Sequence, residues 1–309
     1  MLANFLNKSK PIIFIGILIL FFCVLTGTLI FGSFTAKTFS SIILESIVFV
    51  FFFLFIFFLF NFITKKNGLT FDNSYAFFIF IILSISILPY LLDINKLFLT
   101  AIYLLIVRKI YSLRSNKSIL EKIYDSSFWL GIFFILKPIS LIFIFLIYAA
   151  IYLHKKLTIN TLVIPIIGFA TPLIIYFSYL FWFNQTEVFF DLFQFKINLS
   201  LNNLIEPNLI FFALIIALLT FIFMIFKSRT TLSINNTFKR SWILIILNLF
   251  VAFLFVLLLN QKTTGDLIYL FFPVAIIIAN GVELIEKKII KDSILYILFI
   301  GCFLARFVL

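Results

Sequence analysis

The residues best suited to chemistry lie at the ends of apolar segments. Asp93, in YLLDINK, ends one of them, and Asp266, in TTGDLIYLFFP, opens another. Lys137 stands beside Pro138 in the middle of SFWLGIFFILKPISLIFIFLIYAAIYL. Glu187 and Asp191 are spaced i, i+4 in NQTEVFFDLF, on one face of a helix. Carboxylates near basic residues at a membrane surface can act as a general base, hold a metal or take part in phosphate binding. The plainer reading is that these residues are polar loop positions in contact with water. Glu45, in ILESIVF, is different because it lies just inside an apolar segment. A carboxylate at membrane depth is a functional candidate by default. Its alternative is to snorkel to the interface or to bond Ser41 or Ser46.

Other chemistry is excluded by what the chain lacks. His154 is the only histidine, so a Ser/His/Asp triad, a histidine zinc site and a separate histidine base have no residues to draw on. Next to Lys155 and Lys156, His154 reads as a solvated interfacial side chain. Cys23 and Cys302 fall inside apolar segments with no CxxC spacing, and read as small apolar residues. No metal or cofactor is expected.

These residues must be positioned by membrane helices. The chain has 309 residues, 64% hydrophobic and 12% charged, against about 45–50% and about 25% for a soluble domain. The expectation is an all-α, polytopic transmembrane helix bundle forming a single integral membrane domain over residues 1–309. Eleven apolar segments run from Pro11–Phe31 to Ser293–Val308. Leu97–Val107, Ser127–Leu136 and Ile139–Leu153 are short, and must be tilted, extended or packed inside the bundle. Pro11–Phe31 is long enough to span, and with no A-x-A-like site after it reads as an uncleaved first helix. Phe occurs 48 times, so a Phe stripe alone marks packing or lipid contact, not a site.

Lys and Arg set the orientation. With the N-terminus in the cytoplasm, 18 of the 24 basic residues face inward and 6 outward. The inner group includes Lys8, Lys65, Arg108–Lys122, Lys155, Lys156, Lys227, Arg240 and Lys291; the outer group includes Lys37, Lys96, Lys137, Lys196 and Lys262. The C-terminus is then outside. This split requires Ser127–Leu153 to be two antiparallel arms turning at Lys137-Pro138. Pro138 has no N–H to donate and disfavours helical ψ at Lys137. Ten apolar residues cover only about 15 Å, so the arms need a thinned or protein-lined region, or Glu121–Ser126 as an inner extension. Lys137 would then lie within reach of Asp93.

The remaining features have membrane explanations. Trp129, Trp182 and Trp242 read as interfacial belt residues. The net charge of +12 reads as basic loops against an anionic inner leaflet, and no nucleic-acid partner is expected. Residues 184–207 form an outer loop, in which Thr186–Lys196 reads as an interfacial helix. Paired broken helices of the transporter type are absent.

The runs LLDINKLFLTAIYLLIVRKIY, FWLGIFFILKPISLIFIFLIYAAIYLHKK and LVIPIIGFATPLIIYF resemble the middle of the GT-C glycosyltransferases. Those are multi-pass enzymes that take sugars from polyprenyl-phosphate donors on the outer face. The matching positions are Asp93, Gly131, Leu136, Lys137 and Pro138, and near the C-terminus Tyr269, Leu270 and Pro273 in TTGDLIYLFFPVAIIIANGVE. The chain also resembles an uncharacterised family of bacterial multi-pass proteins of this length. The resemblance implies a GT-C-like core, a bacterial inner-membrane location and handling of a polyprenyl-linked glycan. In that reading Glu45 or Asp93 is the catalytic base, and Lys137, Glu187, Asp191, Asp266 and Tyr269 contact substrate. One departure counts against catalysis. The first outer loop, Gly32–Ser40, contains no Asp or Glu where those enzymes carry an acidic catalytic residue. The alternative is a non-catalytic membrane component of a cell-envelope or secretion assembly.

Overall fold

The computed structural model describes residues 1–33, 39–195, 210–234 and 236–307, and among them there is no strand. In chain order the helices are α1 (Leu2–Leu6), α2 (Pro11–Ser33), α3 (Phe39–Lys66), α4 (Tyr75–Ser86), α5 (Leu88–Leu91), α6 (Ile94–Ser112), α7 (Ile119–Leu136), α8 (Ile144–Leu153), α9 (Ile159–Trp182), α10 (Thr186–Asp191), α11 (Ile210–Ile234), α12 (Asn236–Leu258), α13 (Ile268–Leu284) and α14 (Lys288–Phe307). Two 3-10 helices, Pro138–Phe143 and Thr264–Leu267, lead into α8 and α13. Among the described residues, six stretches are long and apolar enough to cross a bilayer: Pro11–Ile30, Leu44–Lys66, Ile159–Trp182, Phe212–Thr231, Phe238–Leu258 and Thr264–Leu284. Helices satisfy their own backbone groups, which lipid cannot do. The chain is all-helical among its described residues, and its apolar helices are consistent with a multi-pass membrane protein.

The chain divides into two compact units. Unit one comprises Met1–Phe98, Asn203–Ile234 and Thr263–Leu309, and unit two comprises Leu99–Asn202 and Asn235–Lys262.

In unit one, α4 is the central element. All twelve of its residues are buried, including Ser84 and Ser86, whose hydroxyls bond back to Phe80 O and Leu83 O in their own helix. Phenylalanine supplies much of the packing. The Phe60 and Phe80 rings stack at 4.1 Å and Phe272 meets Phe60 edge-on at 5.5 Å, joining α3, α4 and α13. Other phenylalanines, such as Phe51, Phe58 and Phe221, point outward, as lipid contact requires. Gly281 admits α11 closely: a Cβ there would lie 2.1 Å from Phe223 Cγ. The α6–α7 loop charges apart, the basic loops assigned by charge to one side do share an end here. Ser9 and Lys65 meet Asp72, Lys227 meets Glu283, and Lys291 lies over the Tyr75 ring.

In unit two, α7 and α9 pack against each other in parallel. A Cβ on Gly168 would lie 2.7 Å from Tyr124 O, and one on Gly131 would lie 2.4 Å from Pro172 Cγ and 2.6 Å from Phe169 O. Both contacts advance along both helices in the same direction. The intervening segment must therefore run back, and it does. α7 ends at Leu136, Lys137 is extended at φ −144°, ψ 93°, and the chain returns through Pro138–Phe143 and α8. Lys156, after α8, bonds Asn116, before α7.

The expected two-arm reading of Ser127–Leu153 thus holds, with its inner extension. α7 borrows Ile119–Ser126 to reach 18 residues, about 27 Å at 1.5 Å per residue. The returning arm gains length differently. Its six 3-10 residues rise about 2.0 Å each. With the ten residues of α8 they also reach about 27 Å, close to the roughly 30 Å hydrocarbon core.

Two expectations need correction. Trp242 is fully buried, stacked on Phe238 at 6.4 Å, and is a packing residue instead of a belt residue, while Trp182 is 82% exposed. His154 is buried at 5% exposure and is not solvated. It caps the C-terminus of α8, where the helix end is covered by neighbouring chain.

Candidate functional site

Asp266 has a structural task. Thr263 and Asp266 are spaced as a capping box ahead of the turn into α13. The Asp266 carboxylate accepts bonds from Thr263 N–H at 2.8 Å and from the Thr263 hydroxyl at 2.9 Å. Lys96 Nζ donates to the same hydroxyl oxygen at 2.6 Å and to Tyr90 O at 3.3 Å. Gly265 is needed here, since a Cβ would lie 2.4 Å from Tyr90 O. Lys96 and Asp266 therefore knit the start of α6 to the start of α13. Tyr269, one turn further on, is buried at 2% exposure.

The other expected site residues are dispersed over the two units. In unit one, Asp93 is exposed and its carboxylate accepts from Asn95 N–H at 2.9 Å, so it caps α6. Glu45 is half-exposed in the second turn of α3. In unit two, Lys137 is half-buried at the corner between α7 and the 3-10 helix. Glu187 and Asp191 are exposed on α10, and Asp191 accepts from Gln194 Nε2 at 3.0 Å. The expected interfacial helix is shorter than Thr186–Lys196: α10 closes at Asp191, and Lys196 lies outside the described residues, as does Lys37. The rings of α10 pack only in part: Phe189 is half-buried, while Phe190 and, just past the helix, Phe193 are exposed. Phe189 meets Phe177 of α9 at 4.9 Å, and Phe193 meets Phe134 of α7 at 5.6 Å, three residues before Lys137.

A pair of charges with buried side chains lies at the other end of unit one, and sequence reasoning passed over the pair. The Glu283 and Lys227 side chains are only 4% and 6% exposed. Glu283 Oε1 accepts from Asn73 Nδ2 at 2.6 Å and from Phe71 N–H at 3.1 Å. Oε2 stands 3.9 Å from Lys227 Nζ and has no hydrogen bond among the described residues. The ammonium also lies 5.1 Å from the Phe71 ring centroid. One helical turn earlier, Asn280 donates to Leu69 O at 2.9 Å while its own carbonyl oxygen is unbonded. The hydroxyl of Thr231, one turn beyond Lys227, is buried and unbonded too. The cluster clamps the 67–74 loop onto α11 and α13. It also leaves acceptor oxygens buried beside a cation, an arrangement that can take up water or exchange a proton.

No three His, Cys, Asp or Glu among the described residues converge as a metal site would need. A cavity of about 410 Å³ lies elsewhere, beside Asn4, Asn7, Lys8, Lys10 and Ile13. Comparison with protein-family models, with curated proteins and with solved structures finds no match to this chain.

Proposed function

We propose that this chain is a multi-pass protein of the bacterial plasma membrane. In this reading its N-terminus is cytoplasmic, its C-terminus is outside, and about 11 spans surround a GT-C-like core. It handles a polyprenyl-phosphate-linked glycan at the outer face, and Lys137 meets the phosphate. One observation carries the reading. The Lys137 ammonium is half-buried at an apolar corner and has no hydrogen bond or ion pair with the described residues. A cation in such a place is stabilised by an anionic ligand, and a phosphate suits both lysine and arginine. Native mass spectrometry of the purified protein tests it. A retained phospholipid-linked sugar should be lost in Lys137→Ala and partly kept in Lys137→Arg. Equal lipid retention in all three proteins would remove the main support.

A second reading, a non-catalytic component of an envelope or secretion assembly, is favoured by a different observation. Transfer chemistry needs a free carboxylate, yet Asp93 and Asp266 both cap helices. Glu45, the other candidate acid in unit one, also has an interaction of its own. Glu45→Gln separates the two readings: it stops glycan transfer if the chain is an enzyme, and leaves function intact if it is a scaffold.

A further inference from the structure

We propose that the end of unit two around His154 is a binding site for a phosphate group, at the opposite end of that unit from Lys137. Four separate elements build it. His154 closes α8, Lys156 follows in the next loop, Arg114 comes from the α6–α7 turn, and Arg240 from the first turns of α12. The site is fixed in place. Lys156 is bonded to Asn116, and Lys122 Nζ donates to Ser112 O at 3.0 Å and to Ser115 Oγ at 2.5 Å. Lys155 adopts φ 56°, which turns the chain sharply after His154 and brings Lys156 back toward α7.

His154 itself points to a ligand. It is 95% buried, since its exposure is 5%, and its Nε2 has no hydrogen-bond partner among the described residues. Its main chain is satisfied through His154 N–H to Ala150 O at 3.0 Å, so only the imidazole is left wanting. A buried polar atom without a partner costs roughly 1–3 kcal/mol and calls for an occupant. The charges around it specify which kind. Burial first, then Arg240, Lys156 and Arg114, oppose protonation of the imidazole. Of the carboxylates at this end, Asp125 pairs with Lys109 at 2.5 Å, and Glu121 is exposed on the first turn of α7. The cations that act on the imidazole come from three other segments, and guanidinium and ammonium donors suit the several acceptor oxygens of a phosphate. The same chemistry is offered by an inner-leaflet phospholipid headgroup and by a soluble phosphate or phosphate ester.

The single histidine makes the test direct. Protein labelled with ¹⁵N-histidine, in uncharged maltoside micelles, shows one imidazole. Inorganic phosphate, and separately phosphatidylglycerol, are titrated against sodium chloride at matched ionic strength. The expected result is a saturable shift of the His154 signal and a rise of its pKa from about 4 toward the free value. Arg240→Gln should weaken the effect about tenfold, the loss of one charge-assisted bond. A response to phosphatidylglycerol alone identifies a lipid headgroup, and a response to both identifies phosphate in general. A shift no larger than that given by chloride, or none, overturns the proposal without reliance on any variant.

Discussion

Replacing Glu283 by Gln keeps the shape of the side chain and the acceptor that faces Asn73 and Phe71, but removes the charge. Lys227, at 6% side-chain exposure, is then a buried cation without its carboxylate. At the observed 3.9 Å the direct Coulomb term is about 4 kcal/mol at an effective dielectric of about 20. Desolvation of the pair offsets part of that in the intact protein, but losing one partner exposes the full cost, typically about 3–5 kcal/mol. Lys227 stands near the end of its span and can extend toward water, which moves the expectation to the low end, about 3 kcal/mol. Lys227→Met should cost less, about 2 kcal/mol, because Glu283 keeps both hydrogen bonds and can take up a proton. The double variant should cost about 2 kcal/mol less than the two single losses added together. Reversible unfolding in mixed dodecylmaltoside–SDS micelles, followed by tryptophan fluorescence, measures all four proteins. Additivity within about 0.5 kcal/mol would show that the two charges do not act as a pair.

Gly131→Leu should separate α7 from α9, because even a Cβ there meets Phe169 O at 2.6 Å; a loss of about 3 kcal/mol or failure to fold is expected, and wild-type melting would refute the close packing. His154 has its folded pKa lowered to about 4 from about 6.5 when free. The unfolded chain therefore binds the proton first as pH falls, and stability drops between these values, by about 2 kcal/mol after allowing for nearby solvent. His154→Gln should flatten that part of the pH–stability curve, and an unchanged slope would count against burial of a neutral imidazole. Asp266→Ala removes the cap on the turn into α13 and should cost about 1 kcal/mol, read by the same unfolding assay. For orientation, Asn116→Cys in a chain with Cys23 and Cys302 replaced by Ala should resist impermeant maleimide added to intact cells; outside labelling would reverse the topology.

The overall class was legible because it rests on composition and period. So was the turn at Lys137: proline without an N–H beside a charge in an apolar run permits few alternatives. The charge count also anticipated which loops share an end within each unit. The candidate site residues were much less legible. Glu283 and Lys227 are 56 positions apart; Lys227 was counted only among the charges that set orientation and Glu283 drew no reading, since sequence says nothing about which helices adjoin. The Asp266 cap did carry a readable signal, Thr-x-x-Asp ahead of an apolar run, but the acidic side chain drew the catalytic interpretation first. Burial of His154 was invisible because residues beside two lysines at a helix end are usually wet.

The parallel contact of α7 and α9 has a consequence for biosynthesis. A ribosome delivers α7 to the membrane well before α9 exists, so the face carrying Gly131 at first has only lipid or insertion machinery against it. The returning arm, Pro138–Leu153, is sixteen residues long, below the length that partitions reliably by itself. It packs chiefly against α7 and α12, so its docking is completed only after α12 is made, while α7 waits for α9. A substitution at Gly168 would thus strand a helix made earlier, producing an insertion defect at α7 from a change that leaves the α7 sequence untouched.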